Sequence, residues 1–488
     1  MHFRLTKNGL FSLLVYIGVF LYGLYPYRDF DWGWHYRYGE YLLKYGHILR
    51  TNPFSWTLPD YRWVNHSWLY DGLLYIIYTK FSFVGLSIAG ALIVLLIFYI
   101  LLKPFSLTYW QKGLLALVYA PLMFLGADAG LRSLMMGFLF TAVTLTLLRY
   151  GERTFAYLYW LPLVFLAWVN FHGSFVVGLL ILVIYSITYI LNPHNNITKK
   201  AILGGVFLAS AAVTLVNPFT YHIYEEVTKY WHNPVLLTIF DWHTMDILHC
   251  EGRVGCYEFT RYIIILVPAV IFACVKSKKL FHPFYLLLGV AFFYLTTAAQ
   301  RNVPLFIIVT LPFGALLLSS LTAFAPKIKK IMEFIFLATI IVFLAMGYQT
   351  RIQPYNFSHY GFKEYCENVR CSEEAIEYLL QHPPAGRGLN YYDTGGFWTG
   401  RGVPAKLFVD GRMTVWSDTG TNPYADFIDI YMNGDSEKFI AYDFRWVYIE
   451  TNSKLNAVLT YYQGNNHIGT WVNKYQDSKV SYWVRVDN

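Results

Sequence analysis

The run FSFVGLSIAGALIVLLIFYILL, residues 81–102, contains 22 consecutive residues without a charged side chain. A membrane-spanning helix needs about 20 mainly apolar residues, with a working range of about 17–25. Other uncharged runs of this kind lie at 8–27, 201–224, 280–300, 303–325 and 334–350, and shorter ones lie at 113–127, 133–148 and 262–275. The chain therefore carries repeated candidates for membrane spans.

The composition of the whole chain agrees with this pattern. Of its 488 residues 56% are hydrophobic and only 14% are charged, whereas a soluble domain carries about 25% charged residues. A water-soluble fold of this size cannot bury that much apolar surface, so a soluble enzyme, a disordered chain and a nucleic-acid-binding protein are excluded. Charges are sparse before about residue 350 and denser after it. We therefore expect an α-helical polytopic membrane domain at 1–348 and a small α/β domain at 349–488.

Basic residues near span ends mark the cytoplasmic side of a membrane protein, and they predict the topology here. The uncharged stretch 154–198 is long enough for two helices, and Asn170-Phe171-His172-Gly173 divides it. The loops between the basic clusters lie at 27–80, 127–132, 170–173, 217–260 and 299–302. This alternation predicts about 11 transmembrane helices in the plasma (inner) membrane, a cytoplasmic N-terminus and an extracytoplasmic C-terminal domain. It requires 66–80, which carries Asp71, to form an interfacial or re-entrant helix.

The cysteines give an independent indication of topology. Four of the five fall into two closely spaced pairs, Cys250 with Cys256 and Cys366 with Cys371, on the side predicted to be outside. Disulfides form in oxidising compartments, so we expect two disulfides. Four unpaired thiols are the alternative.

The first outer loop contains an unusual cluster of acidic, indole and imidazole groups, YRDFDWGWH at 27–35. Asp29 and Asp31 follow the end of a span, where partial desolvation raises the proton affinity of a carboxylate. Such a group suits a general base for an acceptor hydroxyl. Two carboxylates at i,i+2 could instead hold a divalent cation, Mg²⁺ or Mn²⁺. The third alternative is a pair of solvated loop acids neutralised by Arg28 and Arg37.

A helix is predicted directly after this cluster. Its aromatic and apolar residues recur at helical spacing on one face, at Trp34, Tyr38, Tyr41, Leu42 and Tyr45. Glu40 and Lys44 lie on the opposite face as a favourable i,i+4 pair, and Gly46 ends the helix. The pattern predicts an interfacial helix whose aromatic side faces the acyl boundary.

Further polar residues lie in the other predicted outer loops, namely Arg132, Asn170, His172, Arg301 and Asn302. The planar fork of arginine matches phosphate, so a phosphate site is one interpretation. Ordinary loop charges, helix caps and arginines that extend to the interface are the alternative. Because the spans themselves are nearly free of charge, an ion pump or secondary transporter with a midplane site is disfavoured.

Several motifs resemble those of a large bacterial family that is similar to the GT-C superfamily of membrane glycosyltransferases. The first loop carries Asp29-x-Asp31-x-x-x-His35-x-x-x-Gly39, Thr51-Asn52-Pro53-Phe54-Ser55 and Trp63-x-Asn65-His66-x-Trp68-Leu69. Later blocks are Trp168-x-Asn170-x-His172-Gly173, Asn217-Pro218-Phe219, Arg301-Asn302-x-Pro304, Tyr392-Asp393-Thr394-Gly395-Gly396 and Phe408-Val409-Asp410-Gly411-Arg412. Two positions depart from the pattern. Arg132 is followed by Ser133 instead of proline, and Ser67 stands where an acidic residue is usual.

The resemblance implies a catalytic aspartate in the first outer loop, and Asp31 is favoured over Asp29. It implies that a hexosyl or pentosyl unit passes from a polyprenyl-phosphate donor to a glycan, lipid or protein acceptor of the cell envelope. His35, His66 and His172 would then contact the sugar or tune the carboxylate, and Arg132 and Arg301 would neutralise the phosphate. The alternative is a non-catalytic component that binds polyprenyl-linked glycans or exports polysaccharide.

The C-terminal domain shows weaker signals. We expect a helix at 373–381 capped by Ser372, a helix at 436–442, and strands at 405–410, 445–450 and 481–486. Asp393 and Asp410 each lie just before glycines, and a turn is the favoured interpretation of both positions. Recognition of the acceptor or contact with the first loop is the alternative.

Overall fold

The structure is a computed structural model that describes residues 7–231, 233–250, 254–276, 282–320, 326–355, 357–369, 371–418, 420–461 and 470–486. It is mostly helical and divides into two compact units. The helical unit comprises Met1–Tyr27, Val84–Tyr221 and Leu237–Ser358. The mixed unit comprises Arg28–Phe83, His222–Leu236 and His359–Asn488. The predicted division of the chain at residue 349 stays a prediction.

The described residues form 19 α-helices and four β-strands. The helices are α1 Lys7–Gly23, α2 Trp32–Tyr45, α3 Trp68–Leu102, α4 Tyr109–Ala127, α5 Ser133–Gly151, α6 Leu161–Phe171, α7 Phe175–Leu191, α8 Ile197–Val213, α9 His222–Thr228, α10 Val254–Lys276, α11 Pro283–Ala298, α12 Val303–Ser320, α13 Pro326–Gly347, α14 Phe362–Val369, α15 Glu373–Gln381, α16 Gly395–Arg401, α17 Pro423–Ile428, α18 Ser436–Ala441 and α19 Lys454–Tyr461. The strands are β1 Gly388–Asn390, β2 Trp446–Glu450, β3 Thr470–Gln476 and β4 Val480–Val486.

Every predicted span overlaps a helix of the described residues, although the helix in the predicted span 201–224 ends at Val213. A helix satisfies its own backbone hydrogen bonds, which an apolar membrane segment requires. The predicted break at 170–173 is confirmed, since α6 ends at Phe171 and α7 begins at Phe175. Four helical segments of the described residues are long and apolar enough to cross a membrane: Trp68–Leu102, Ser133–Gly151, Gly255–Phe272 and Gln300–Ser320. The predicted number of 11 crossings stays a prediction.

The helix α3 is broken at Ser82, which has a φ of 54° and a ψ of −158°. A non-glycine residue rarely adopts a positive φ, so two helical segments, 68–81 and 83–102, meet at this residue. The first segment covers the region for which the sequence predicts an interfacial or re-entrant helix. Its placement in the membrane stays a prediction.

The mixed unit contains a four-stranded sheet with the order β1-β2-β4-β3. The strands β1 and β2 are parallel, and the other two pairings are antiparallel. Large aromatic side chains fill its core, including the fully buried Trp446, Trp471 and Trp483. Ser372 caps the helix α15 as predicted, because its hydroxyl accepts a hydrogen bond from the Ala375 amide at 3.0 Å.

Backbone pairing joins the first loop to the C-terminal part of the mixed unit. The Leu407 amide donates to the Phe54 carbonyl at 3.0 Å, and the Trp56 amide donates to the Leu407 carbonyl at 2.9 Å. The Thr57 hydroxyl donates to the Phe408 carbonyl. These bonds correct the predicted strand at 405–410, which forms only an isolated bridge to Ser55. The side-chain oxygen of Asn390 accepts hydrogen bonds from the amides of residues 408 and 409, at 2.7 and 3.3 Å. These amides are therefore satisfied without a neighbouring strand.

The helices α2 and α16 cross at their glycines. A Cβ atom at Gly33 would overlap the carbonyl of Gly396 and lie 2.5 Å from the amide nitrogen of Gly400. A Cβ at Gly400 would lie 2.7 Å from the Cα of Gly33. Only residues without a side chain allow two backbones to approach so closely. This contact fixes the first turn of α2 against α16.

The first half of α2 packs against protein, which corrects the predicted orientation of its aromatic face. Gly46 ends the helix in the left-handed conformation, as expected. Trp34 and Tyr38 are 7% and 4% exposed, and Tyr38 packs on Trp63 with a ring-centroid separation of 4.4 Å. Tyr45, at the end of the helix, is 57% exposed. The periodicity of α2 identified a buried face correctly, but the partner of that face is the first loop.

Both predicted cysteine pairs are at disulfide distance. The Cα atoms of Cys250 and Cys256 are 5.4 Å apart, and those of Cys366 and Cys371 are 4.5 Å apart. Both values fall within the usual range for disulfides.

Substituting Gly33 with alanine tests the close crossing of α2 and α16. Inserting a methyl group into a tightly packed contact costs about 1–3 kcal/mol, so we expect Gly33→Ala to lower the thermal unfolding midpoint of the purified protein. Gly204→Ala is the matched control, because a Cβ there meets no atom within 4 Å and alanine favours a helix by about 1 kcal/mol over glycine. Equal midpoints for Gly33→Ala and the wild type would contradict the crossing.

Candidate functional site

Asp31 lies at the start of α2, in the position of its N-cap residue. Its carboxylate oxygen Oδ1 accepts a hydrogen bond from the indole Nε1 of Trp34 at 3.0 Å. The side chain is half-buried, and the preceding Phe30 is exposed. The carboxylate that the sequence favours as catalytic is therefore oriented by an indole N–H and remains partly accessible.

Two glycines of the C-terminal part lie directly against Asp31. A Cβ atom at Gly411 would overlap the Asp31 carboxylate, and one at Gly396 would overlap the Phe30 carbonyl and lie 3.3 Å from the Cα of Asp31. The absence of a side chain at Gly411 therefore makes room for the Asp31 carboxylate, and its absence at Gly396 makes room for the backbone of Phe30 and Asp31.

Gly411 is held in place by a buried ion pair between its neighbours Asp410 and Arg412. Arg412 Nε lies 2.9 Å from Asp410 Oδ1, Nη2 lies 2.5 Å from Oδ2, and both side chains have no exposed surface. The guanidinium also donates to the Tyr38 hydroxyl at 2.9 Å. Four aromatic rings surround it with centroids 5.3–5.7 Å from the guanidinium carbon: Tyr38, Phe54, Trp63 and Trp416.

This arrangement gives the Asp410-Gly411-Arg412 motif a structural role. A buried pair needs good geometry and further hydrogen bonds to offset its desolvation, and cation–π contacts add to both. The predicted turn is present, since the Met413 amide donates to the Asp410 carbonyl at 2.9 Å. The contact with the first loop, the alternative interpretation of this motif, is present as well.

A second carboxylate, Asp393, lies within electrostatic reach of Asp31. Burial, together with the negative charge of Asp31, raises the pKa of Asp393 to about 6. A hydrogen bond with Tyr391 opposes this rise, and the charge of Glu450 adds to it. Asp31, Asp393 and Asp410 all raise the pKa of the Tyr392 hydroxyl beyond the effect of its burial. Asp31, Asp393 and the half-buried Tyr392 are therefore close enough to influence one another electrostatically.

Asp29 occupies a different environment from Asp31. Its side chain is 4% exposed, and its Oδ1 accepts from the Asp31 amide at 3.3 Å. The Tyr365 hydroxyl donates to its backbone carbonyl at 2.8 Å. The interpretation of Asp29 as a solvated loop acid is therefore wrong. Arg37, the proposed partner of these acids, pairs with Glu40 at 2.7 Å.

His35 belongs to a buried network with Asp71. His35 Nδ1 lies 2.5 Å from Asp71 Oδ1, and Asn65 Nδ2 donates to Asp71 Oδ2 at 2.6 Å. His35 and Asp71 are 2% and 1% exposed. The network joins α2 to the start of α3, and the half-buried His66 lies beside Asn65 in the chain. Direct contact of His35 or His66 with substrate stays a prediction.

In the helical unit, Arg132 and Arg301 meet the same short turn, Phe240–Trp242. Arg132 Nη1 lies 3.4 Å from Asp241 Oδ2, and the Arg301 guanidinium carbon lies 4.5 Å from the Trp242 ring centroid. The two predicted phosphate-binding arginines, which are far apart in sequence, are thus brought to one place.

The remaining predicted site residues close helix ends. The Asn170 amide donates to the carbonyls of Leu166 and Val216, at 2.8 and 3.0 Å. His172 Nδ1 lies 2.8 Å from the Ser174 hydroxyl, and the Asn302 amide donates to the Leu295 carbonyl at 2.8 Å. Each of these residues is therefore engaged in local hydrogen bonds near a helix end and has a local structural role.

The donor set around Asp29 and Asp31 bears on the predicted Mg²⁺ or Mn²⁺ ion. Within the described ranges, no group of three or more His, Cys, Asp or Glu side chains is placed to hold a metal ion. One oxygen of each aspartate accepts from an N–H group instead. Metal binding by the pair Asp29 and Asp31, and any metal dependence, stay predictions.

Sequence reasoning gave too little weight to three residues of this site. The sequence predicts a turn at Asp393 and at Gly411, and it indicates Asp71 only as a charge in the predicted interfacial segment. The signal for Asp71 was available, because it lies one helical turn after Ser67, where the resembling family has an acidic residue. No spacing rule could place Asp393 near Asp31, because 362 residues separate them in sequence.

Neither the known family models nor the curated proteins include a match to this sequence. Two solved structures resemble it in fold. One is the archaeal oligosaccharyltransferase AglB from Archaeoglobus fulgidus, in complex with an inhibitory peptide and a dolichol-phosphate, with a TM-score of 0.62 and 10% sequence identity. That match covers 90% of this chain and 69% of AglB.

The other is ArnT from Cupriavidus metallidurans, bound to undecaprenyl phosphate, with a TM-score of 0.54 and 12% identity. The match covers 99% of each chain. Both are GT-C membrane glycosyltransferases, and at this level of identity the likeness concerns the fold. The resemblance that the first-loop motifs indicated is confirmed at the level of architecture: this chain has the fold of the GT-C superfamily of membrane glycosyltransferases.

Proposed function

We propose that this protein is a membrane glycosyltransferase that moves a single sugar from a polyprenyl-phosphate donor to a hydroxyl-bearing acceptor of the cell envelope. The observation that carries the proposal is the position of Asp31, whose half-buried carboxylate lies against Gly411 and within electrostatic reach of Asp393. The fold shared with two transferases whose structures contain polyprenyl-type phosphates supports the class of donor.

The proposed chemistry needs one proton acceptor. The Asp31 carboxylate takes the proton of the acceptor hydroxyl while that oxygen forms a bond to the anomeric carbon of the donor sugar. The bond between the anomeric carbon and the phosphate oxygen breaks, and the lipid phosphate leaves with the electron pair. General base catalysis of this type contributes about 10²–10⁴-fold to a rate.

Asp393 is the second carboxylate in the proposed mechanism. Because its pKa is raised to about 6, it changes charge in a range where the usual aspartate is already ionised. We assign it to the binding of acceptor hydroxyl groups, to which a neutral carboxyl donates and a carboxylate accepts a hydrogen bond. Tyr392 adds a hydroxyl within electrostatic reach of both carboxylates.

The helical unit supplies two features that suit the donor. Arg132 and Arg301 meet at the turn Phe240–Trp242, and arginine stabilises the charge of a leaving phosphate. Separately, an apolar cavity of about 350 Å³ is lined by residues of α10, α11 and α12, among them Val267, Val290 and Phe306. We assign the isoprenoid chain to this cavity, because it presents hydrocarbon almost throughout.

A non-catalytic protein that binds polyprenyl-linked glycans is the second candidate. The arginines and the apolar cavity fit both functions equally well. The Asp31 carboxylate favours the enzyme, since a half-buried aspartate fixed by an indole and two glycines is more than a binding protein needs.

Asparagine at position 31 separates the two candidates. Asp31→Asn keeps the size of the side chain and removes its capacity to take a proton, so we expect the release of polyprenyl phosphate from a polyprenyl-phosphate sugar to fall at least about 100-fold. The measurement is mass spectrometry of the released lipid with purified protein in nanodiscs. Glu437→Gln, an exposed acid on α18, is the control and retains activity. Full release by Asp31→Asn would rule out the proposed base.

The raised pKa of Asp393 predicts a pH dependence of stability. Between the usual aspartate pKa of about 4 and about 6, the folded protein holds a proton that the unfolded chain releases. Stability therefore falls as the pH rises through this window. A shift of two units corresponds to at most about 3 kcal/mol.

We expect Asp393→Asn to remove this dependence, because asparagine does not titrate. The thermal midpoint of the variant, relative to that of the wild type, then rises between pH 4.5 and pH 7. Glu437→Gln again serves as the control and follows the wild type. Parallel curves for Asp393→Asn and the wild type would show that Asp393 titrates as an ordinary aspartate.

A further inference from the structure

The mixed unit contains a cavity of about 440 Å³ beside the second half of α2. It is lined by α2, by the first-loop residues 53 and 54, and by residues 399 and 402–406. Its volume falls within the range of about 300–1,000 Å³ typical of small-molecule sites. Neither the proposed acid–base chemistry nor the assigned donor sites use it.

One side of the cavity is aromatic. Tyr41, Tyr45 and Phe54 line it, with ring-centroid separations of 5.6 Å between Tyr41 and Tyr45 and 6.4 Å between Tyr41 and Phe54. Tyr45 is 57% exposed. The C–H faces of a pyranose ring pack on such rings, and the tyrosine hydroxyls add polar contacts at their edges.

The charges of the lining are predominantly positive. Its single acid, Glu40, is already engaged by Arg37 at 2.7 Å and by Lys44 at 2.9 Å. Burial raises the pKa of Glu40, but the hydrogen bonds from Lys44 and Arg37 and the positive charges of both residues lower it overall, so that the carboxylate stays ionised and paired. Lys406 is exposed and makes no hydrogen bond or ion pair with any residue that the structure describes. An unpaired ammonium group thus adjoins an aromatic wall.

Arg37, one helical turn before Tyr41 on α2, adds a fixed donor to the lining. Its Nε donates to the Thr399 carbonyl at 3.0 Å. A Cβ atom at Gly402 would lie 2.7 Å from the Nη2 of Arg37. Gly402 has a φ of 73°, a conformation that glycine adopts without strain. The glycine therefore keeps the guanidinium edge uncovered at the cavity.

We propose that this cavity binds the acceptor and that the acceptor is an acidic saccharide whose carboxylate pairs with Lys406. The assignment rests on the proposed function, and it adds the chemical class of the acceptor. The aromatic wall holds the sugar rings, Arg37 donates to ring or carboxylate oxygens, and Lys406 selects the negative charge.

The geometry of α2 relates this cavity to Asp31 within the same unit. Arg37 and Tyr41 lie six and ten residues after Asp31 on one continuous helix. At 1.5 Å per residue the cavity begins about 9 Å and extends beyond about 15 Å along the helix axis. An acceptor that occupies the cavity and also reaches Asp31 would therefore be longer than one sugar residue.

A binding experiment with matched probes tests the proposal. The protein is reconstituted in nanodiscs of phosphatidylcholine and titrated by calorimetry with a tetrasaccharide of alternating glucuronate and N-acetylglucosamine. The neutral probe is the tetramer of N-acetylglucosamine. We expect the acidic probe to bind at least 10-fold more tightly than the neutral one. Equal affinities, or no binding of the acidic probe, would overturn the proposal.

Two matched variants locate the binding site. Lys406→Gln removes the unpaired charge from an exposed residue, so we expect about a 10-fold loss of affinity for the acidic probe and no change for the neutral one. Lys474→Gln, an exposed lysine on β3, is expected to bind both probes as the wild type does. Unchanged affinity in Lys406→Gln would contradict the assignment of the carboxylate.

A lipid headgroup is the competing source of negative charge, and nanodiscs containing phosphatidylglycerol separate the two. If phosphatidylglycerol stabilises the wild type but not Lys406→Gln, and the acidic probe does not bind, this surface is a membrane contact. That result would overturn the proposal. Release of polyprenyl phosphate, measured in parallel, reports on the proposed function alone. Loss of saccharide selectivity with normal release would refute only the acceptor class.

Discussion

The close approach of α2 and α16 is the constraint on which the mixed unit depends. Gly33 and Gly400 bring the two backbones into contact, and the first turn of α2, which begins at Asp31, takes its position from that contact. The buried pair of Asp410 and Arg412 then holds Gly411 against the Asp31 carboxylate. The position of one side chain is therefore specified by segments more than 360 residues apart in sequence.

The two units offer different chemistry. The mixed unit contains the carboxylates, the tyrosine beside them and a cationic cavity with an aromatic wall. The helical unit contains Arg132 and Arg301, which both contact the turn Phe240–Trp242. It also contains an apolar cavity that suits a hydrocarbon chain. The proposed function assigns the acceptor and the base to the first set of groups and the donor to the second.

Periodicity and charge predicted the helices well, because an apolar segment in a membrane has few alternatives to a helix. The break at His172, the end of α2 at Gly46 and both cysteine pairs followed from local sequence alone. The strand expected at 405–410 was wrong, because Asn390 and the first loop satisfy that backbone instead. The electrostatic influence of Asp31 on Asp393 arises from tertiary packing, which local patterns do not encode.

Gly411→Ala tests most directly whether the packing of the C-terminal part prepares Asp31 for sugar transfer. A methyl group there overlaps the Asp31 carboxylate, which must therefore shift. The substitution removes no ionisable side chain. The rate of polyprenyl phosphate release should be measured beside the thermal midpoint, with purified protein in nanodiscs. The account predicts a fall in the rate of at least 10-fold in a protein that remains folded. A folded Gly411→Ala protein that releases polyprenyl phosphate at the wild-type rate would contradict it.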